Sequence, residues 1–472
     1  MMNVAFALTA LANHGARING MPADFAVVST DSRSIKPGEL FLALRGEHFD
    51  GHAFVRDVLA AGASAAVVDE AWVAENDIKG LTLIIVDDTR RAFASLAAAW
   101  RRSFSIPVIG VVGSNGKTTV KEMIASILAA EVGAERRLAT TGNLNNDIGV
   151  PTMLLRLKPP HQAAVIEMGM NHPGETAELA AMVEATVAII NNAQREHQEF
   201  MKTVEAVAEE HAAILRALPA DGVAVLNADD EYFDLWRKVS DVRRIISFGL
   251  QSQADVHAGS IAANGSGEIE LVTPAGRSPL RLATVGEHNV RNALGAAAAA
   301  LAAGCSLAGV VAGLEAFRPV KGRLQRHAGQ SGSTIIDDTY NANPDSVRAA
   351  IDVLGTVTGA RVLVLGDMGE VGDQGEKYHE EVGEYARSRG IDAVLVLGDM
   401  TRATVSAFGP GATHFSSIDE LMPAVFPMLS SQTTVLVKGS RFMRMERVVE
   451  ALCKPSLADS NTQSSEGNKN AA

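Results

Sequence analysis

Cysteine is almost absent, with two in 472 residues. Cys305 and Cys453 stand far apart in helical, apolar patterns. Neither a disulfide framework nor a cysteine-based metal site is expected, and both thiols read as core or near-surface groups of a reducing compartment. Excess positive charge is missing too. The net charge of -13 argues against nucleic acid as a partner, while leaving room for a local basic pocket that takes a small anion. Long apolar runs are lacking, and stretches such as 296–303 are too short to span a bilayer. Residues 1–16 have no basic segment ahead of their apolar residues and no clear cleavage site, so a cytoplasmic, non-membrane-spanning protein is expected. No G-x-G-x-x-G occurs in the last third of the chain, which removes the dinucleotide fingerprint from that region. What remains is 47% hydrophobic and 21% charged, enough for an ample core divided among roughly two to four domains.

One stretch organises the rest. Val108-Ile109-Gly110-Val111-Val112 reads as a buried strand, Gly113-Ser114-Asn115-Gly116 as a glycine loop, and Lys117-Thr118-Thr119 as a helix start. Such a loop turns backbone N–H groups around phosphate oxygens, and the helix N-terminus adds partial positive charge. Lys117 would then reach the outer phosphates and the Thr118 hydroxyl would ligate Mg²⁺. The commonest form of this motif needs glycine six positions before the lysine, where Val111 stands. The pattern here is the shorter G-x-x-G-K-T-T.

Residues 1–104 read as a small α/β unit with polar, arginine-bearing loops, including Asp31-Ser32-Arg33 and Gly38-Glu39-Leu40-Phe41. Residues 105–317 alternate strands with helices, the pattern of a mostly parallel sheet. Short segments between Val256 and Thr284, broken at Asn264-Gly265 and Pro274-Ala275-Gly276, predict an antiparallel appendage. Residues 318–454 alternate again and predict a Rossmann-like α/β unit. Residues 455–472 are rich in Ser, Asn, Gly and Ala without periodicity, the composition of a disordered tail.

Candidate site residues gather at predicted strand ends, where open parallel sheets bind ligands. Glu167 ends one apolar strand and reads either as a Mg²⁺ ligand opposite Thr118 or as a solvated carboxylate. His197 follows the next strand and reads as a metal ligand, a phosphate contact or a structural histidine. Asn289 and Asn292 share one helix face, as a cap or as contacts to adenine or phosphate. Arg323 lies where the second and third units join, a place for a guanidinium that reads phosphate across a cleft. Asp338-Thr339-Tyr340-Asn341-Ala342-Asn343-Pro344 follows a further strand and predicts a polar pocket, with Leu365-Gly366-Asp367-Met368-Gly369-Glu370 and Lys438-Gly439-Ser440-Arg441 on the same edge.

Taken together, these residues resemble the Mur ligase family, in the order Gly113–Thr119, Glu167, His197, Asn289 with Asn292, Arg323 and Asp338. The resemblance covers about residues 25 to 450. It implies three α/β domains: a uridine-nucleotide domain, a phosphate-loop ATPase domain and a Rossmann-like ligase domain. It implies an ATP-dependent ligase, cofactors ATP and Mg²⁺, and a monomer. The Asp338–Pro344 and Leu365–Glu370 loops resemble the branch that joins D-alanyl-D-alanine to UDP-N-acetylmuramoyl-tripeptide through an acyl phosphate. The alternative is another Mur-type or folylpolyglutamate-synthase-like carboxylate–amine ligase. Carried over residue by residue, Lys117, Glu167 and His197 are catalytic. Gly113, Ser114, Asn115, Gly116, Lys117, Thr118, Thr119, Asn289, Asn292, Arg323 and Asp338 bind ATP, while Thr118, Glu167 and His197 hold metal. Ser32 and Arg33 lie near the UDP group, and Asn341 and Asn343 near the dipeptide. One position departs from the pattern. Many family members carry a carbamoylated, metal-holding lysine on the helix after the histidine, and His211 stands there. Histidine cannot form that carbamate, so His211 or a neighbouring acid substitutes, or the second Mg²⁺ is held differently.

Overall fold

Apolar runs bounded by glycine and polar turns build three separate sheets. The computed structural model describes residues 2–46, 49–250, 253–262, 267–284 and 286–454. The expected Asn264-Gly265 turn and the tail lie outside them. The first sheet has five strands in the order Arg17–Asn19, Leu83–Val86, Ala65–Asp69, Leu40–Leu42 and Val28–Ser29. In the apolar stretch 25–29, only Val28 and Ser29 pair with a neighbouring strand.

Among the described residues the central sheet has nine strands. Val108–Val112 is the third strand from one edge, paired in parallel with Ala163–Glu167 on one side and Val187–Ile190 on the other. Every residue of these three strands is buried, as expected where helices cover both faces. Lys117–Val132 and the alanine-rich Glu287–Ala302 pack together over one face. Val256–Ile261, Glu268–Thr273 and Gly276–Arg281 are the expected antiparallel addition, and they continue the same sheet because Val256 and His257 pair in parallel with Phe248 and Gly249.

The third sheet has six strands, in the order Gln325–Ala328, Thr334–Asp338, Thr433–Lys438, Ala360–Gly366, Ala393–Leu397 and Ala412–Phe415. All neighbours are parallel except the first pair. The C-terminal ends of its middle strands meet the C-terminal ends of the central strands across one cleft. Among the described residues, no helix is long and apolar enough to cross a membrane.

Candidate active site

The phosphate loop is shaped by two glycines that no other residue could replace without movement. Gly116 has φ 80°, and a Cβ there would meet Asn292 Oδ1 at 2.5 Å; Gly113 has φ 140°, and a Cβ would lie 2.9 Å from Asn191 Cβ. Amide side chains from the adjoining strand end then brace the loop. Asn115 donates its N–H to Asn192 Oδ1 (2.8 Å) and accepts at its carbonyl from Asn191 Nδ2 (2.7 Å) and Asn192 Nδ2 (3.0 Å). Its side chain donates to Gln194 Oε1 (2.6 Å), and Asn191 donates to Asn292 Oδ1 (2.9 Å). Neutral hydrogen bonds therefore preset a loop meant to meet a charged ligand.

Lys117 folds back on its own loop. Its ammonium donates to the Gly113 and Ser114 carbonyls and lies 3.0 Å from Glu196 Oε2. Burial pushes the Glu196 carboxyl upward, but Lys117, His211 and His197 outweigh it and hold it at about 2. His211 is buried, and its Nε2 lies 3.0 Å from Glu196 Oε1.

Thr118 sits between two opposite charges, donating its hydroxyl to Glu167 Oε1 (3.1 Å) and accepting from Arg323 Nη2 (2.9 Å). Asn145 donates to the same Glu167 oxygen (2.8 Å), and the Glu167 N–H is fixed on Thr140 Oγ1 (2.9 Å). Among the described residues, Glu167 Oε2 is buried without a hydrogen-bond partner. An orphaned carboxylate oxygen beside a threonine hydroxyl is the donor set that Mg²⁺ takes when phosphates and water supply the rest. Among the described residues no three or more His, Cys, Asp or Glu side chains form a metal cluster on their own. His197 has φ 47°, and its Nδ1 lies 2.6 Å from Glu370 Oε2 of the third unit. That contact, the largest influence on it, pulls the Glu370 pKa down.

The third unit supplies the opposite wall. Asp338 ends its strand and pairs with Lys438 Nζ (2.6 Å), which also donates to the Asn341 carbonyl (2.9 Å). Asn343 caps the helix Pro344–Gly355 in a reciprocal capping box with Ser346, and its Nδ2 donates across the cleft to Asn115 Oδ1 (3.0 Å). Arg323 stacks over the Tyr340 ring at 4.2 Å. Among the described residues, His288 Nε2 is buried without a partner, and burial holds the ring down at about 4.

These groups line one cleft of about 550 Å³. It brings together Ser114 to Thr119, Glu167, His197, Asn289, Asn292, Arg323, Asp338, Asn341 and Asn343, with Gly113 as the turn just beneath. Ser32 and Arg33 stand apart, on a loop of the first sheet where Arg33 pairs with Asp31 (2.9 Å). Tyr340 and Lys438, expected at the pocket edge without individual roles, also line the cleft, as do Asn145 and Glu196, which the sequence did not single out. Glu196 beside His197, and Lys438 as a lysine ending an apolar strand, were the signals available.

Three family models tile the chain: the Mur ligase family catalytic domain over residues 24–101, the Mur ligase middle domain over 111–300, and the Mur ligase glutamate ligase domain over 322–441. UDP-N-acetylmuramoyl-tripeptide–D-alanyl-D-alanine ligase of Escherichia coli is 40% identical over 439 residues, covering 92% of this chain and 95% of that one. The enzyme of the same name from Haemophilus influenzae is 38% identical over 433 residues, with 90% and 93% covered. A crystal structure of MurF from Acinetobacter baumannii superposes with a TM-score of 0.88 at 35% identity, covering 95% of this chain and 98% of that one. MurF ligase from Thermotoga maritima in complex with ADP gives 0.79 at 26% identity, with 90% and 96% covered. With the cleft built from all the shared motif positions and the models spanning most of its length, the chain belongs to the Mur ligase family.

Proposed function

We propose that this Mur ligase joins D-alanyl-D-alanine to UDP-N-acetylmuramoyl-tripeptide at the expense of ATP, making the pentapeptide precursor of peptidoglycan. The observation that carries the reading is the facing of two walls: Lys117, Thr118 and Glu167 on one side, Asp338, Asn341, Asn343 and Lys438 on the other. Near full-length similarity to ligases of that name supports the choice of substrates. Residues 1–104 are read as the UDP-substrate domain, 105–317 as the ATP domain and 318–454 as the ligase domain.

In this reading the tripeptide carboxylate attacks the γ-phosphorus of ATP, and ADP leaves. The free amine of D-alanyl-D-alanine attacks the acyl carbon; phosphate departs and the amine loses its proton. The protein does little covalent work, and its task is to position three ligands and balance charge. The loop N–H groups and Lys117 hold phosphate oxygens, while Arg323 reaches the same phosphates from the far wall. Asn289 and Asn292 frame the nucleotide, and Asn341 and Asn343 border the dipeptide. Ser32 and Arg33 hold the UDP end on the first unit. Mg²⁺ would be held by Thr118 and Glu167, with His197 toward a second ion, and supplies electrostatic stabilisation of the transferring phosphoryl group. Closure of the third unit excludes the water that would hydrolyse an acyl phosphate.

The test follows phosphate release with ATP and UDP-N-acetylmuramoyl-tripeptide while the acceptor is varied among D-alanyl-D-alanine, single amino acids and glutamate. Release is expected only with the D-dipeptide; release indifferent to the acceptor sinks the reading. Lys117→Ala should lower turnover by about 100- to 1000-fold or more, the cost of losing one preorganised transition-state contact, with unchanged circular dichroism. Near-normal activity in that variant would refute the placement of ATP.

A further inference from the structure

The cleft contains a buried carboxylate that the phosphoryl-transfer reading has not used. Glu196 is 5% exposed, and burying a charge is costly unless it is matched. It is matched twice. Oε1 faces His211 Nε2 at 3.0 Å, and Oε2 faces Lys117 Nζ at 3.0 Å, with His197 Nε2 at 3.9 Å from the same oxygen. Among the described residues His211 has no hydrogen-bond partner at Nδ1, so Nε2 on Glu196 is its ring's one polar contact. His211 ends the helix Val204–His211, so Oε1 is tied to the central unit, while Oε2 faces Lys117 in the cleft.

Nucleotide binding disturbs this arrangement. Lys117 has one ammonium, and turning it to the outer phosphates removes the counter-charge of Oε2. Glu196 would then face arriving phosphate negative charge in a buried site. A cation shared between Oε2 and phosphate oxygens restores the balance, and His197 stands on the same side to complete it. We propose that Glu196, oriented by His211, is a ligand for a second divalent cation in the nucleotide-loaded cleft. The inference rests on the ATP reading of the loop. The helix position tied to Glu196 is the one where the family pattern has a carbamoylated lysine. A glutamate carboxylate needs no carbon dioxide to form, so this site assembles without it.

The probe is Mn²⁺, titrated into the full chain with a non-hydrolysable ATP analogue while free ion is followed by electron paramagnetic resonance. Two ions per chain are expected. Glu196→Gln should bind one, or bind the second at least about tenfold more weakly, and His211→Ala should weaken the second ion by about 10- to 100-fold, as loss of a group orienting a metal ligand does. Thermal melting checks that each variant is folded. Glu196→Asp and His211→Gln, which keep the charge and the donor respectively, serve if the first pair do not fold, and each should weaken the second ion less. Carbon dioxide-free buffer should leave the two-ion count unchanged. Two ions bound at unaltered affinity by the Glu196 variants would overturn the proposal, as would a single ion in the parent or loss of the second ion without carbon dioxide. Acceptor dipeptide does not enter this readout, so a failed acceptor assay and a failed ion count remain separate results.

Discussion

The central unit is joined to its two neighbours by different chemistry. Toward the first unit the seam is apolar: residues from Met2 to Trp100 and from Val108 to Trp236 form one continuous buried cluster. Helix Thr89–Arg102 crosses that seam. Trp100 stacks edge-on against Phe6 and Phe104 and donates to the Leu157 carbonyl (3.1 Å). Arg101 caps the end of helix Glu175–Val183 through the Val183 and Glu184 carbonyls, a favourable place for a cation. Toward the third unit the seam is polar, and that unit's two apolar clusters take in only its own residues. Arg195 spans this seam, paired with Asp345 (2.6 Å) and Glu381 (2.6 Å) and stacked 5.1 Å from the Tyr378 ring. His197–Glu370, Asn115–Asn343 and Arg323–Thr118 cross beside it. Apolar burial is indifferent to what occupies the cleft, whereas ion pairs exchange readily for ligand and water. The first two units share one core, and the third meets them through ion pairs and amide contacts.

Trp100→Ala is the strongest way to break that contrast. It should cost about 3–5 kcal/mol and lower the unfolding midpoint of the first two units together in chemical denaturation. Separate transitions for those two units would contradict the single core.

His288 offers a sharper probe of the polar seam. Burial depresses its pKa from 6.5 to about 4, Asp338 and Asp352 oppose that, and Arg291 and Lys438 reinforce it. Between those two pH values the unfolded chain binds the proton and the folded chain does not, so stability rises with pH in that window. Lowering the pH from 6.5 to 4 should remove about 1–3 kcal/mol, and His288→Gln should remove that slope. An unchanged slope in the variant would assign the acid sensitivity elsewhere.

Arg195→Ala should have the smallest effect on stability and the clearest on shape. Losing a partner of two carboxylates weakens closure by about 1.5–3 kcal/mol. The radius of gyration from small-angle scattering should increase while the melting of the first two units stays within about 0.5 kcal/mol of the parent. A variant as compact as the parent would show that the polar seam does not depend on this arginine.

The same contrast explains what could be read in advance. Val108 to Thr119 was legible because strand, glycine loop and helix start are local features of consecutive residues. Glu167 was legible as a carboxylate ending an apolar strand. Arg195 was not, because its meaning lies in Asp345 and Glu381, which only the meeting of two units brings near. The three-residue strand Arg137–Ala139 is too short to show alternation, and Gln325–Ala328 is a polar edge strand with no buried residue. Helix Glu70–Glu75 was missed because its six residues bury none of their side chains completely, so no apolar stripe marks it. His211 was legible as a departure from the family pattern, but its partner Glu196 needed the fold.

The amide lattice around the phosphate loop also makes its shape depend on one side-chain amide. Asn115 stands directly before Gly116, and asparagine is among the thermolabile side chains. Loss of ammonia would turn its donor into an acceptor facing Gln194 Oε1, only 2.6 Å away, and add a negative charge where phosphates are expected. The bonds that give the loop its shape also hold that amide still, from both sides. Deamidation at Asn115 would read as a one-dalton gain in the peptide that contains it.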